Sequence, residues 1–150
     1  MLKRLSMFPL ATLGLFLTCN QVHAIATCPD PVLNTLKKTY PELEVTSCRE
    51  EKEKGQVQYE AQIVTRDEKN LEIDASPDGR LLLIEESVPL DSVPKAVILA
   101  FEAKYPKVQA NRSVKQTKPG GVVTYELAFK DKGKKHEVTF AKDGTFVGEE

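Results

Sequence analysis

Tryptophan is absent from this chain of 150 residues, histidine occurs twice and cysteine three times. Metal and nucleophile chemistry therefore has few side chains to draw on. There is no Cys-x-x-Cys pair, no Gly-x-Gly-x-x-Gly or phosphate loop, no Gly-x-Ser-x-Gly elbow and no Asp-x-Asp-x-Asp-Gly calcium loop. These absences argue against redox, nucleotide, hydrolase and dedicated calcium chemistry, and no cofactor is expected. An excess of one charge is also missing. Lys and Arg number 21 against 22 Asp and Glu, a net charge of −1. Nucleic acid is thereby a poor partner, because phosphate binding needs a clustered basic excess. No apolar run approaches the roughly 20 residues that span a bilayer. What is present, 41% hydrophobic and 29% charged residues, is an ordinary globular balance.

Residues 1–24 read as a secretory signal peptide. Lys3 and Arg4 open it, an apolar run from Leu5 to Leu17 follows, and Val22-His23-Ala24 supplies a cleavage site. The destination is periplasmic or secreted. Cys19 follows Leu17-Thr18, a poor version of a lipoprotein signal, so a lipid anchor stays open as an alternative. Removing residues 1–24 takes away two basic residues and no acid, which lowers the net charge from −1 to −3. It also leaves Cys28 and Cys48 as the remaining cysteines and His136 as the remaining histidine. Two cysteines in an oxidising compartment are expected to form one disulfide.

The chain repeats itself. Tyr40-Pro41 recurs as Tyr105-Pro106, Tyr59-Glu60 as Tyr125-Glu126, and Asp78-Gly79 as Asp143-Gly144, at offsets of 65 or 66 and in the same order. Each unit opens on a helix. Asp30 is the expected cap of the first, with Pro31 at its first position and Val32, Leu36 and Tyr40 along one stripe. Asp91 or Ser92 is the expected cap of the second, with Val97, Phe101 and Tyr105 as its stripe. Pro41 and Pro106 end the helices. Alternating segments then predict strands at 43–53, 56–65, 71–75 and 80–86, and again at 108–118, 122–130, 136–140 and 145–149. The fold class expected is α+β: two tandem repeats, residues 25–88 and 89–150, each one helix followed by about four antiparallel strands, the helices packed on one sheet face. Neither unit has a large core alone, so either the two sheets join or the helices pack together.

Opposite the apolar side of the strands lie Glu60, Glu72 and Asp74 in the first unit and Glu126 and Glu137 in the second. The predicted hairpins set Glu60 across from Glu72 or Asp74, and Glu126 beside Glu137. Like charges across strands are unfavourable. Arg49, Lys52 or Lys115, a bound cation or a basic partner would relieve them. These five acids form the candidate partner-binding face, with Glu60 and Glu126 expected to be exposed. His136 takes the place of Leu71 in the repeat and reads as a partly buried structural histidine.

A helix ending in Tyr-Pro, a strand with Tyr-Glu, a strand with Glu followed by an apolar residue, then Asp-Gly, resembles the PepSY-like repeat, also described as beta-lactamase-inhibitor-like. The second copy reads Lys-Tyr-Pro (104–106), Thr-Tyr-Glu-Leu (124–127), His-Glu-Val-Thr-Phe (136–140) and Lys-Asp-Gly-Thr (142–145). The first reads Thr-Tyr-Pro (39–41), Gln-Tyr-Glu-Ala (58–61), Leu-Glu-Ile-Asp (71–74) and Pro-Asp-Gly-Arg (77–80). The resemblance implies an exported, non-enzymatic binding module, an inhibitor or regulator of another envelope or secreted protein, with no catalytic residue. Its partner is expected to be an exported protein with a basic surface. Alternatives are an envelope structural or assembly protein, lipid-anchored if Cys19 is modified, and a cation-binding envelope protein.

Overall fold

The computed structural model describes residues 28–149. The leader at 1–24 and Cys19 lie outside them. Helix α1 (Asp30–Thr39) precedes strands β1 (Glu44–Glu53), β2 (Gln56–Val64), β3 (Asn70–Ala75) and β4 (Leu81–Ser87). After a short 3-10 turn at Leu90–Ser92, helix α2 (Lys95–Lys104) precedes β5 (Arg112–Lys118), β6 (Val122–Asp131), β7 (Lys134–Ala141) and β8 (Phe146–Glu149).

The helices start differently from expectation. Pro29 and Pro94, both in extended backbone, stand immediately before them, and no side chain caps either. Asp30 is already helical and Pro31 follows it. There the ring costs no helical hydrogen bond, and the Asp30 carboxylate meets the positive end of the helix. Asp91 and Ser92 belong to the 3-10 turn instead, where Ser92 Oγ donates to Pro89 O at 2.7 Å. The ends follow the proline argument. The N–H groups of Tyr40 and Tyr105 close the last turns on Leu36 O and Phe101 O at 2.8 Å, and Pro41 and Pro106 hold the preceding tyrosines out of the helical region.

The eight strands form one antiparallel sheet in chain order, β1 to β8. Its continuity depends on β4 and β5, whose register sets Ile84 against Thr117, Glu85 against Gln116 and Ser87 against Val114. Of the two ways to enlarge a small core, the chain joins its strands. Two-residue turns at Lys54-Gly55 and Lys132-Gly133 have both central φ angles positive, the geometry that suits the right-handed twist of a hairpin. The Asp-Gly turns are one residue longer. Ser76 and Arg80 bracket one and Ala141 and Thr145 the other, each with a backbone bond back across the loop and a register shift in the adjoining ladder. Such a three-residue loop ends on a left-handed residue, and Gly79 (φ +83°) and Gly144 (φ +90°) supply it.

Two hydrophobic clusters fill the space between helices and sheet. Val32 and Leu36 of α1 join Ala61, Ile63, Leu71, Ile73 and Ala75. Val97 and Phe101 of α2 join Tyr125, Leu127, Phe129, Val138 and Phe140. Cross-strand register places Ala61 beside Ile73, and Leu127 beside Val138, so these residues share one face of the sheet. Cys28 and Cys48 are bonded, with Cα atoms 5.4 Å apart, and both are buried in the first cluster. The bond ties the segment before α1 to β1.

Candidate functional site

Among the described residues, the other face of the sheet carries no helix, and its side chains stand in rows fixed by register. Arg49, Glu60, Asp74 and Leu83 form one row across β1 to β4. Gln62, Glu72, Glu85, Gln116 and Thr124 form the next, across β2 to β6. Glu126 lies further along, opposite Val114 and Thr139. Several side chains on this face are buried although no helix of the described residues covers them: Gln58, Glu60, Val114, Thr124 and Ala128. Long side chains from neighbouring strands shield them: Arg49 lies on Glu60, Gln116 on Thr124, and Arg112 and Glu137 flank Ala128. A depression of about 270 Å³, lined by Gln62, Glu72, Glu85, Ser87, Arg112 and Val114, crosses the β4–β5 seam.

The predicted acids are placed as follows. Glu60 is buried, not exposed, at 5% relative accessibility, and it is ion-paired with Arg49. The Arg49 side chain brought opposite by β1, invisible in a period-2 pattern, accounts for the difference. Arg49 also reaches Glu51 at 2.7 Å. Asp74 is the residue opposite Glu60, and Glu72 pairs with Gln62 one step along. Glu126 does not face Glu137. Glu137 lies opposite Ala128 and is neutralised by Lys135 at 2.7 Å and Arg112 at 3.5 Å. Of the three cations considered, Arg49 serves the face, whereas Lys115 reaches Glu86 at 3.7 Å and Lys52 pairs with Val57. Glu51, Glu85 and Gln116 were missed, because their place depends on cross-strand pairing that no local motif announces. Gln116 is the connector: its Nε2 donates to Glu85 at 2.9 Å and to Glu126 at 3.3 Å, while its Oε1 accepts from Thr124 at 3.0 Å.

The face is electrostatically unbalanced around Asp74. Desolvation raises its pKa first, and Glu85, Glu60, Glu72 and Glu51 add to the rise, which reaches about 7. Burial raises Glu60 as well, against the opposing hydrogen bond from Arg49. A pH dependence of stability follows. Unfolded Asp74 releases its proton near pH 4, and folded Asp74 near 7, so the native state binds the proton more tightly between these limits. Stability therefore falls as pH rises through this window and the loss is complete above it. Solvent screening at a half-buried site holds the drop to about 1–2 kcal/mol. Urea midpoints at pH 5 and pH 8 measure it. Asp74→Asn is expected to flatten the drop, and an unchanged drop in that variant would contradict the assignment.

His136 stacks on Phe129 with ring centroids 5.1 Å apart, and its Nδ1 lies 3.1 Å from Glu149 Oε1. Among the described residues, no three of His, Cys, Asp and Glu converge as metal ligands would, and no helix is long and apolar enough to cross a membrane.

Comparison with known proteins agrees with this geometry. A family model described as beta-lactamase-inhibitor-like, PepSY-like matches twice, over residues 19–83 and 58–148. No curated protein matches the chain. Among solved structures, a DUF2874 family protein from Bacteroides uniformis is similar at TM-score 0.67 and 17% identity, covering 83% of this chain and 89% of its own. A protein assigned to the periplasm in Bacteroides eggerthii is similar at TM-score 0.66 and 21% identity, covering 83% and 88%. A BLIP-like protein from Bacteroides fragilis is similar at TM-score 0.62 and 23% identity, covering 81% and 85%. At these identities the likeness establishes the fold.

Proposed function

The chain belongs to the beta-lactamase-inhibitor-like, PepSY-like family, and from that premise we propose that it is an exported, non-enzymatic binding module of the periplasm or exterior. Two tandem units, residues 25–88 and 89–150, build one sheet. Its open face receives a basic surface of another exported protein, whose activity the module restrains or regulates. The leader at 1–24 and the disulfide support export, and the periplasmic assignment of the similar Bacteroides eggerthii protein is consistent with it. The observation that carries the binding reading is the charge around Asp74. The charges that act most on it are all carboxylates, Glu60 opposite it and Glu72, Glu85 and Glu51 beyond, and Arg49 is already engaged by Glu60 and Glu51. A partner lysine or arginine brought to this face relieves a repulsion that folding leaves in place.

Charge complementarity acts mainly on the association rate and is screened by salt. Capture of the partner from envelope extracts is therefore expected to weaken as salt rises. Glu72→Lys combined with Glu126→Lys is expected to reduce low-salt capture at least about tenfold, the loss of one to two well-placed charge contacts. Both side chains are half-buried at the open face, which makes this pair a better probe than the buried Glu60. Equal capture by wild type and double variant at low and high salt would reject this face as the site.

A further inference from the structure

The two edges of the sheet differ in kind. β1, one edge, is ten residues long, carries Glu44, Arg49, Glu50, Glu51, Lys52 and Glu53, and has a register irregularity between Val45 and Ser47. A register irregularity is common to both edges; the charges are what set β1 apart as an edge that avoids pairing with another chain. β8, the other edge, begins Phe146-Val147-Gly148 and bears no charge before Glu149. Phe146 is 41% and Val147 56% exposed.

Helix α2 extends this apolar surface. A Cβ at Gly144 would meet Ala96 O and Ala100 Cβ, and Lys104 Nζ lies 4.2 Å from the Phe146 ring centroid, so one side of α2 runs beside β8. On its outer side stand Leu99, 53% exposed, and the exposed Ala96 and Ala103. The equivalent places on α1, 65 residues earlier, hold Pro31, Asn34 and Lys38. α1 is polar outward in the usual way, whereas α2 sets Leu99, Ala96 and Ala103 among the exposed charges Lys95 and Glu102.

We propose that β8 and the outer side of α2 form a twofold interface with a second copy of this chain, the two β8 strands pairing antiparallel. The occupant is a second copy because the surface complements itself. Antiparallel pairing of Phe146–Glu149 about its centre sets residue 146 against residue 149 of the other copy. Phe140 and Val138, their neighbours on β7, lie in the core cluster, so both residues point to the helix side. Lys104, over Phe146, then meets Glu149 of the second copy, and the symmetry makes the contact twice. Glu149 is held by Tyr105 Oη at 2.8 Å and His136 at 3.1 Å, within the field of its own chain's Lys104, so pairing sets it between two lysines. The β4–β5 seam shows that this sheet already extends by antiparallel pairing of one unit's last strand. The charged β1 edge ends the assembly at two copies, and an isologous contact closes on itself. The irregularity at Val147 shortens the new ladder, so side chains carry much of the association and it is reversible.

Sedimentation velocity of the purified exported protein over a concentration series tests the proposal. A monomer–dimer equilibrium with a Kd of order 10 μM is expected. Leu99→Glu and Val147→Lys, both at exposed side chains, are each expected to raise Kd at least about tenfold while leaving thermal unfolding of the monomer intact. Lys104→Glu is expected to weaken the dimer, and Lys104→Glu with Glu149→Lys to restore it. A protein that stays monomeric up to about 1 mM would overturn the proposal and leave this edge to an extended segment of a different protein. A dimer whose Kd is unchanged by Leu99→Glu or by Val147→Lys would overturn it too.

Discussion

Gly79→Ala is expected to destabilise the protein by about 3–5 kcal/mol, a large part of the roughly 5–15 kcal/mol that holds a domain folded. Two effects combine. The φ of +83° is one that a side chain resists, and the added Cβ would lie 2.3 Å from Pro31 O and 2.7 Å from Pro31 C. Both atoms are backbone at the start of α1, so relief requires moving the helix away from the β3–β4 turn. Thr35 Oγ1, which donates to Gly79 O at 2.6 Å, would lose its partner in that movement. Gly133→Ala is the control. Its φ of +80° is nearly the same, but nothing lies within 4 Å of the added carbon, so only the conformational cost of about 1–2 kcal/mol applies. Urea unfolding of both variants measures the contrast as a shift in midpoint at constant slope. Equal losses would mean that backbone conformation alone sets the requirement for glycine. Gly144, with Ala96 O 2.6 Å from its added Cβ, is expected to behave like Gly79.

Opening the disulfide is the second large effect. Cys28 and Cys48 are 20 residues apart, and closing a loop of that size is worth about 3 kcal/mol in the chain-entropy model. Reduction, or replacement of both cysteines by alanine, is expected to lower stability by about that amount. Replacement by serine is expected to cost more, because both positions are buried in the α1 cluster and a hydroxyl there lacks an arranged partner. Thiol labelling of the unreduced, exported protein should find no free cysteine at positions 28 and 48. Labelling at both, or equal unfolding midpoints with and without reductant, would contradict the role assigned to the bond.

How much of this was legible beforehand depends on the range of each interaction. The strands of β2 and β6 declared themselves through alternation, because Ala61 and Ile63, like Leu127 and Phe129, must face a helix and their neighbours must not. The helix ends were equally plain, since a proline constrains the residue before it. Helix starts were less so: Asp30 and Asp91 are the conventional capping residues, but Pro29 and Pro94 precede the two helices and no side-chain cap is made. Both prolines are compatible with the extended backbone that precedes a first turn, and a local rule cannot rank them against an acid.

The candidate site divides in the same way. That Glu60, Glu72, Asp74 and Glu126 lie away from the helices is written in the chain, because a strand's side chains alternate whatever surrounds it. That Glu60 is buried and bound to Arg49, that Glu85 and Gln116 join the face, and that Asp74 holds its proton to about pH 7 were decided by tertiary structure. The β4–β5 seam brings the two halves into one sheet, and side chains from neighbouring strands crowd the open face and withdraw parts of it from water. Pairing partners are set between strands far apart in sequence, whereas alternation, turns and helix stripes are set within a few residues.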